Sequence, residues 1–316
     1  MTSDKVSVSG IELAFDQFGR PGDPTILLMM GNSAPGLVWP DEFCEALATL
    51  NFRVVRYDQR DTGLSTYVDF ERSSYTLDHL VDDAIGLLDA LGVHQAHLVG
   101  LSQGGNLALR AGLVHPSRVA SITTMMSSPD LGPKNDAFAG RPPKSNALPG
   151  PAANYVQAVI SLNSAPACTD TEVAERFVEN FRLAAGPKSP FDQASWNAIG
   201  DAFAFRRLGQ RAAMANHSNH GRAQAASPSL TSDDLALLSK PCLIIHGECD
   251  PIFPIEHAHW AKSHIDGAEL LVVADMGHAL DKAFIPEIVD RIGFFCHGST
   301  AVRQLIKGRD SNYSAI

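Results

Sequence analysis

A serine set among glycines follows an apolar run in the stretch HLVGLSQGGNLALRAGLV, residues 97–114. The pattern G-x-S-x-G, here Gly100 to Gly104, is typical of a sharp strand-to-helix turn that exposes a nucleophilic hydroxyl, at Ser102 in this chain. Such a turn could instead hold a phosphate or only make a tight corner. No G-x-x-x-x-G-K-[ST] motif occurs in the chain, which argues against a phosphate-binding loop.

A serine hydroxyl attacks well only when a base removes its proton and an acid orients that base. His278, in MGHAL after the apolar run 269–274, is the candidate base. Asp250, in GECDPIFP after the run 242–247, is the candidate acid. The order Ser…Asp…His matches a hydrolase built on a parallel sheet. Asp130, which follows another apolar run, is the rival acid.

Ester or amide cleavage also needs donors for the developing oxyanion. One should be the backbone N–H of Gln103, the residue after the nucleophile, and the other that of Asn32, after the flexible Gly31. We expect Met30, Met125 and Phe138 to line an apolar substrate pocket.

Short apolar runs alternate with segments of helical periodicity, which predicts an α/β fold with a doubly wound, mostly parallel sheet. An alternating pattern around Ser9-Gly10 predicts an antiparallel hairpin before it. The predicted strands are 25–30, 52–57, 96–100, 119–126, 242–247 and 269–274, and the first predicted helices are 41–50 and 77–93.

The alternation stops between about residues 129 and 228, where a Pro/Gly-rich connector, not expected to form a regular element, precedes three helix-like segments. We interpret 1–128 and 229–297 as the core, 129–228 as a helical cap over the carboxyl edge of the sheet, and 298–316 as a polar tail. The three segments are 154–163, 170–186 and 192–221.

Composition excludes several classes of protein. A net charge of −10 over 316 residues disfavours a nucleic-acid partner. Five cysteines without a CxxC pair indicate free thiols in a reducing cytoplasm. We expect no signal peptide, because the N-terminus lacks a basic stretch followed by an apolar one, and no membrane span, because the apolar runs are too short. We expect no bound metal, because the pairs His257/His259 and His217/His220 lack a clear third ligand, and no cofactor, because the expected serine chemistry needs none. The oligomeric state is not predicted.

The motifs together resemble the α/β-hydrolase superfamily along nearly the whole chain, in MMGNS, YDQRDTGLS, GLSQGG, GECDPIFP and MGHAL. MGNSAPGLVWPDEF and RYDQRDTGLST resemble the aclacinomycin methylesterase group, which cleaves a methyl ester on a polyketide antibiotic. Many members have histidine at the position of Met30, and glycine is common at that of Asp61. The resemblance implies that Asp58, Arg60 and Asp61 fix a loop rather than react.

These features predict a cytoplasmic serine hydrolase that cleaves a small-molecule carboxylic ester with an apolar body through an acyl-enzyme. Other chemistries of the same superfamily stay open, namely amide or lactone hydrolysis, C–C bond hydrolysis, and perhydrolysis with peroxide in place of water. A ligand receptor on the same fold is the alternative from a different class, because fold does not determine function.

Overall fold

A computed structural model describes residues 3–144, 148–207 and 219–313, with the backbone alone from residue 300 onward. The strands are β1 Asp4–Val8, β2 Ile11–Phe18, β3 Thr25–Met29, β4 Arg53–Tyr57, β5 Ala96–Leu101, β6 Val119–Met125, β7 Cys242–Gly247 and β8 Glu269–Val273. The helices are α1 Asp41–Thr49, α2 Leu77–Ala90, α3 Gln103–Val114, α4 Gly132–Phe138, α5 Ala153–Leu162, α6 Asp170–Ala185, α7 Gln193–Arg207, α8 Asn219–Ala226, α9 Ser232–Ala236, α10 Glu256–His264 and α11 Ile285–Tyr313.

The eight strands form one sheet in the order β1-β2-β4-β3-β5-β6-β7-β8. In this order, β4 and all the strands after it, including β3, run parallel to one another. Strands β1 and β2 form the antiparallel hairpin at one end. The prediction of a mostly parallel α/β sheet is therefore confirmed. Because the carboxyl ends of parallel strands meet at one edge, the loops after β3, β5, β7 and β8 lie along the same edge.

Continuous apolar strands arise here because both faces of the sheet are covered. On β3, Leu27 and Met29 join the apolar cluster that contains α2 and α3 residues. Ile26 and Leu28 join a second cluster, with residues of α1 and α11. Neighbouring residues of the strand thus face opposite layers, and neither face needs polar side chains.

Glycines allow β3, β5 and α3 to cross at close range beneath the loop edge. A Cβ at Gly100 would lie 2.1 Å from the Gly104 carbonyl oxygen, and one at Gly104 would lie 2.0 Å from that of Met29. Any larger residue at either position would force the backbones apart. The glycines of the G-x-S-x-G pattern are therefore required by packing.

One part of the sequence interpretation is wrong. The Pro/Gly-rich connector was not expected to form a regular element, yet it contains α4. Pro133 stands in the first turn of this helix, where the missing N–H removes no hydrogen bond.

Helices α4 to α8 occupy the segment between β6 and the short helix α9 that precedes β7. The predicted segment 192–221 begins as α7, its residues 208–218 lie outside the described part, and α8 follows. Helix α11 continues to Tyr313, through most of the stretch predicted as a tail.

All five cysteines are free thiols, as the sequence indicates; Cys44, Cys242 and Cys296 are buried. No helix within the described residues combines the length and apolar character needed to cross a membrane.

The close crossing generates a stability prediction. Replacing Gly104 with alanine should lower the free energy of unfolding by about 1–3 kcal/mol, because the new Cβ meets a backbone oxygen that cannot rotate away. Urea unfolding of Gly104→Ala beside Gly22→Ala measures this, since Gly22 has no atom within 4 Å of its would-be Cβ. Equal urea midpoints of unfolding for Gly104→Ala and Gly22→Ala would contradict the packing argument.

Candidate active site

Ser102 lies at the turn between β5 and α3 with φ 57° and ψ −123°. This left-handed conformation is costly for a residue with a Cβ, and such strain collects at functional sites. Hydrogen bonds hold the turn. The Ser102 N–H donates to the Met125 carbonyl at 2.9 Å, and the Ser102 carbonyl accepts from the Gly105 N–H at 3.0 Å and from Ser127 Oγ at 2.6 Å.

Asp250 and His278 follow β7 and β8 and are brought together by the loops after these strands. Nδ1 of His278 lies 2.7 Å from Oδ2 of Asp250. The other carboxylate oxygen accepts N–H bonds from Ile252 at 2.8 Å and Phe253 at 3.0 Å. Because a carboxylate only accepts, Nδ1 carries the proton and Nε2 of a neutral ring keeps its lone pair for a substrate-side proton.

The charge of Asp250 is stabilised despite its burial. Burial alone raises the pKa of this carboxyl, but the neighbouring His278 charge and hydrogen bond outweigh that effect and hold the pKa below its ordinary value. The side chain therefore stays ionised and can orient the imidazole.

Asp130, the rival acid, has other partners. Its Oδ1 accepts from the Gly132 N–H at 2.8 Å and from Ser229 Oγ at 2.5 Å. The carboxylate beside His278 is that of Asp250. Across the described residues, Ser102 Oγ makes no hydrogen bond to His278; in ligand-free sites such bonds are often long and shorten in the substrate complex.

The two predicted oxyanion donors belong to segments that adjoin Ser102. A Cβ at Gly31 would be 3.0 Å from Ser102 Cβ and 3.6 Å from its Oγ, so the loop after β3 packs against the serine. Gln103 begins α3, where the first N–H groups have no partner within the helix. Neither the Asn32 nor the Gln103 N–H donates a hydrogen bond within the described part of the chain.

The residues predicted to line a pocket differ in environment. Met30 and Met125 are fully buried in one apolar cluster. Phe138, on α4, is half-buried and meets the ring of Tyr155 edge-on, with centroids 6.3 Å apart. Burial and then the charge of Asp250 raise the pKa of Tyr155. The Ala152 N–H, just before α5, donates to the Pro251 carbonyl at 2.9 Å, which connects the helix that carries Tyr155 to the loop of Asp250.

Lys134 shares the α4 face of Phe138, one helical turn away. It is half-buried, and no described residue forms an ion pair or hydrogen bond with its ammonium group. Burial lowers the pKa of Lys134 to about 8. Sequence patterns do not reveal this residue, since a lysine beside a proline in a connector carries no signal of burial.

The loop after β4 has the structural role that the family resemblance implies. Asp58 accepts N–H bonds from Gly36 at 2.7 Å and Leu64 at 2.8 Å, and Arg60 forms a buried ion pair with Asp83 at 2.6 Å. Asp61 accepts from the Val68 N–H and from the hydroxyl of Tyr75, each at 2.6 Å. These bonds connect the loop to its surroundings on several sides.

Two of the four histidines weighed as metal ligands have other partners. The ring of His257 bonds to Ser128 Oγ at 2.6 Å and to the Pro149 carbonyl at 2.8 Å. The ring of His220 bonds to the Ser33 N–H at 3.0 Å and to the Arg60 carbonyl at 2.7 Å. His217 lies outside the described residues.

Comparison with known proteins identifies the family. Residues 24–280 match the family described as alpha/beta hydrolase fold, and the chain belongs to it. The chain is 33% identical over 294 residues to rhodomycin D methylesterase of Streptomyces sp. strain C5, covering 90% of this chain and 94% of that protein. The methylesterase of the same name from Streptomyces peucetius is 33% identical over 289 residues, covering 90% and 92%.

Among solved structures, the meta-cleavage product hydrolase from Pseudomonas fluorescens IP01 superposes with a TM-score of 0.71 at 21% identity. The superposition covers 94% of this chain and 98% of the chain of that hydrolase. This likeness supports the fold, and the resemblance to the methylesterase group is confirmed by the sequence relatives.

The lowered pKa of Lys134 generates a pH prediction. Between pH 8 and the ordinary lysine value of 10.5, the unfolded chain binds a proton that folded Lys134 has lost. Stability rises with pH wherever the unfolded state binds more protons, so wild type should gain stability relative to Lys134→Met across this window. Urea unfolding at several pH values tests this, with Lys188→Met, at an exposed lysine, as the control. If the difference in the free energy of unfolding between wild type and Lys134→Met did not change with pH, the effect would be excluded.

Proposed function

We propose that this chain is a serine esterase that cleaves a carboxylic ester with an apolar body. The observation that carries the proposal is the 2.7 Å contact between His278 and the buried Asp250, on the sheet edge where Ser102 occupies its strained turn. Membership of the α/β-hydrolase family and the methylesterase relatives support ester cleavage.

The proposed mechanism begins with proton transfer. His278 Nε2 accepts the hydroxyl proton of Ser102 as Oγ attacks the ester carbonyl carbon, and Asp250 holds the ring in the required tautomer and stabilises its positive charge. The C–O bond to the alcohol then breaks, and the alcohol leaves with the proton from His278. Water, deprotonated by the same ring, attacks the acyl-enzyme and releases the acid and Ser102.

The oxyanion of each tetrahedral intermediate accepts hydrogen bonds from the backbone N–H groups of Asn32 and Gln103. The absence of other partners for these two N–H groups among the described residues supports this role. Donors that are already in place stabilise the transition state without having to reorient during the reaction.

The substrate body packs against the helical segment 129–228, which acts as a cap in this proposal. A hydrogen bond 2.8 Å long from the His278 N–H to the Ala184 carbonyl of α6 supports this role. Met30, Met125 and Phe138 line the apolar side of the pocket. By analogy with the rhodomycin D methylesterases, a methyl ester on a polycyclic aromatic body is the substrate class that we favour.

Labelling and turnover test the nucleophile. Wild type should release p-nitrophenol from p-nitrophenyl acetate with a burst, and a serine-directed phosphonate should modify Ser102. Ser102→Ala should abolish both, whereas Ser263→Ala, at an exposed serine of α10, should change neither. If the wild-type protein bound esters without turnover or labelling, it would be a receptor. Faster hydrolysis of a lactone or of a C–C bond, or faster reaction with peroxide in place of water, would favour that chemistry over ester hydrolysis.

Two matched substitutions test the acid. Asp250→Asn should lower kcat by about three to four orders of magnitude, because the amide favours the wrong imidazole tautomer. Asp130→Asn should leave kcat near the wild-type value, since its carboxylate faces Gly132 and Ser229. Steady-state kinetics measure both variants, and the reverse pattern would reassign the acid to Asp130.

A further inference from the structure

Helix α8 presents two buried side chains to the oxyanion region. His220 and Gln224 stand one helical turn apart, on one face of the helix, and both are buried. The proposed mechanism uses neither residue. Two of their partners nevertheless adjoin the oxyanion donors: Ser33 follows Asn32 in the loop after β3, and Gln103 is itself the second donor residue.

His220 contacts the first of these loops through its ring. Nδ1 lies 3.0 Å from the Ser33 N–H, and Nε2 lies 2.7 Å from the Arg60 carbonyl oxygen. An N–H only donates and a carbonyl only accepts, so Nδ1 carries the lone pair and Nε2 the proton. The neutral ring in this one tautomer therefore links the loop after β3 to the loop after β4.

The bond to Ser33 acts on the peptide next to Asn32. Ser33 has φ 57°, a left-handed conformation that a residue with a Cβ adopts only when its surroundings hold it. The N–H that His220 binds belongs to the peptide unit between Asn32 and Ser33. Helix α8 also packs beside Asn32, because a Cβ at Gly221 would lie 4.0 Å from Asn32 Nδ2.

Gln224 contacts the second donor residue. Nε2 of Gln103 donates to Gln224 Oε1 at 3.1 Å and to the His220 carbonyl at 3.4 Å. Gln224 Nε2 in turn donates to Asn135 Oδ1 on α4. One helix thus holds Gln103 by its side chain and, through Ser33, the turn that contains Asn32.

We propose that helix α8 sets the separation and direction of the two oxyanion donors, with His220 and Gln224 as positioning residues. This inference rests on the proposed function, because it assigns these residues to the oxyanion hole of the same site. Catalysis by such donors depends on their position relative to the developing charge, so loosening either contact should weaken transition-state binding more than ground-state binding.

The test measures catalysis per competent site. His220→Ala and His220→Asn are compared with wild type after titration of active sites with the phosphonate, which removes misfolded molecules from the comparison. Arg222→Ala is the matched control, since Arg222 lies on the same helix but pairs with the exposed Glu71. The readouts are kcat per titrated site, KM, and the affinity for a trifluoromethyl ketone, whose adduct with Ser102 places a charged oxygen in the hole.

We expect kcat per titrated site to fall by roughly 10- to 100-fold in His220→Ala, somewhat less than the typical loss of a whole oxyanion donor. KM should change little, and ketone affinity should fall in parallel with kcat. His220→Asn should recover part of the loss, because its amide oxygen can accept the Ser33 N–H in place of Nδ1. Arg222→Ala should match wild type.

Substitutions of Gln224 provide a second, independent test of the same proposal. Gln224→Glu keeps an oxygen acceptor for Gln103 Nε2 and should retain more activity per site than Gln224→Met, which removes it. Fewer titratable sites with unchanged kcat per site would show a purely structural role and overturn the inference. If wild type itself neither labels nor turns over, the proposed function has failed instead.

Discussion

The close crossing of β3, β5 and α3 is the constraint on which the rest of the site depends. Gly100 and Gly104 leave no space between the backbones for a Cβ, and the chain turns sharply between them at Ser102. The same crossing brings the first N–H groups of α3 and the loop that contains Gly31 against this serine. Ser102, the N-terminus of α3 and the loop that contains Gly31 therefore converge through one packing requirement.

Electrostatics then determine which carboxylate forms a hydrogen bond with His278. A buried charge is stable only when its hydrogen bonds are complete, and Asp250 meets that condition with two N–H donors and the His278 ring. The same bonds that keep Asp250 ionised also fix the imidazole tautomer. Asp130 instead accepts hydrogen bonds at Oδ1 from the Gly132 N–H of its own loop and from Ser229 Oγ.

Local patterns predicted the sheet and the loop positions of Ser102, Asp250 and His278, because each of these rests on short-range rules for strands, turns and strand ends. Helix α4 was missed because proline discourages helices everywhere except in their first turn. The contacts of His220 left no trace in the sequence for a different reason. Its partner is a backbone N–H 187 residues away, and a backbone group has no residue type to recognise.

Helices α6 and α8 are hydrogen-bonded to the edge of the sheet where Ser102 and His278 lie. Ala184 accepts the N–H of His278, and α8 holds the turn beside Asn32 and the side chain of Gln103. If α6 and α8 moved together as a rigid body, the bonds to His278, Ser33 and Gln103 would break at once. These bonds therefore oppose displacement of α8 and of the end of α6 from the edge of the sheet.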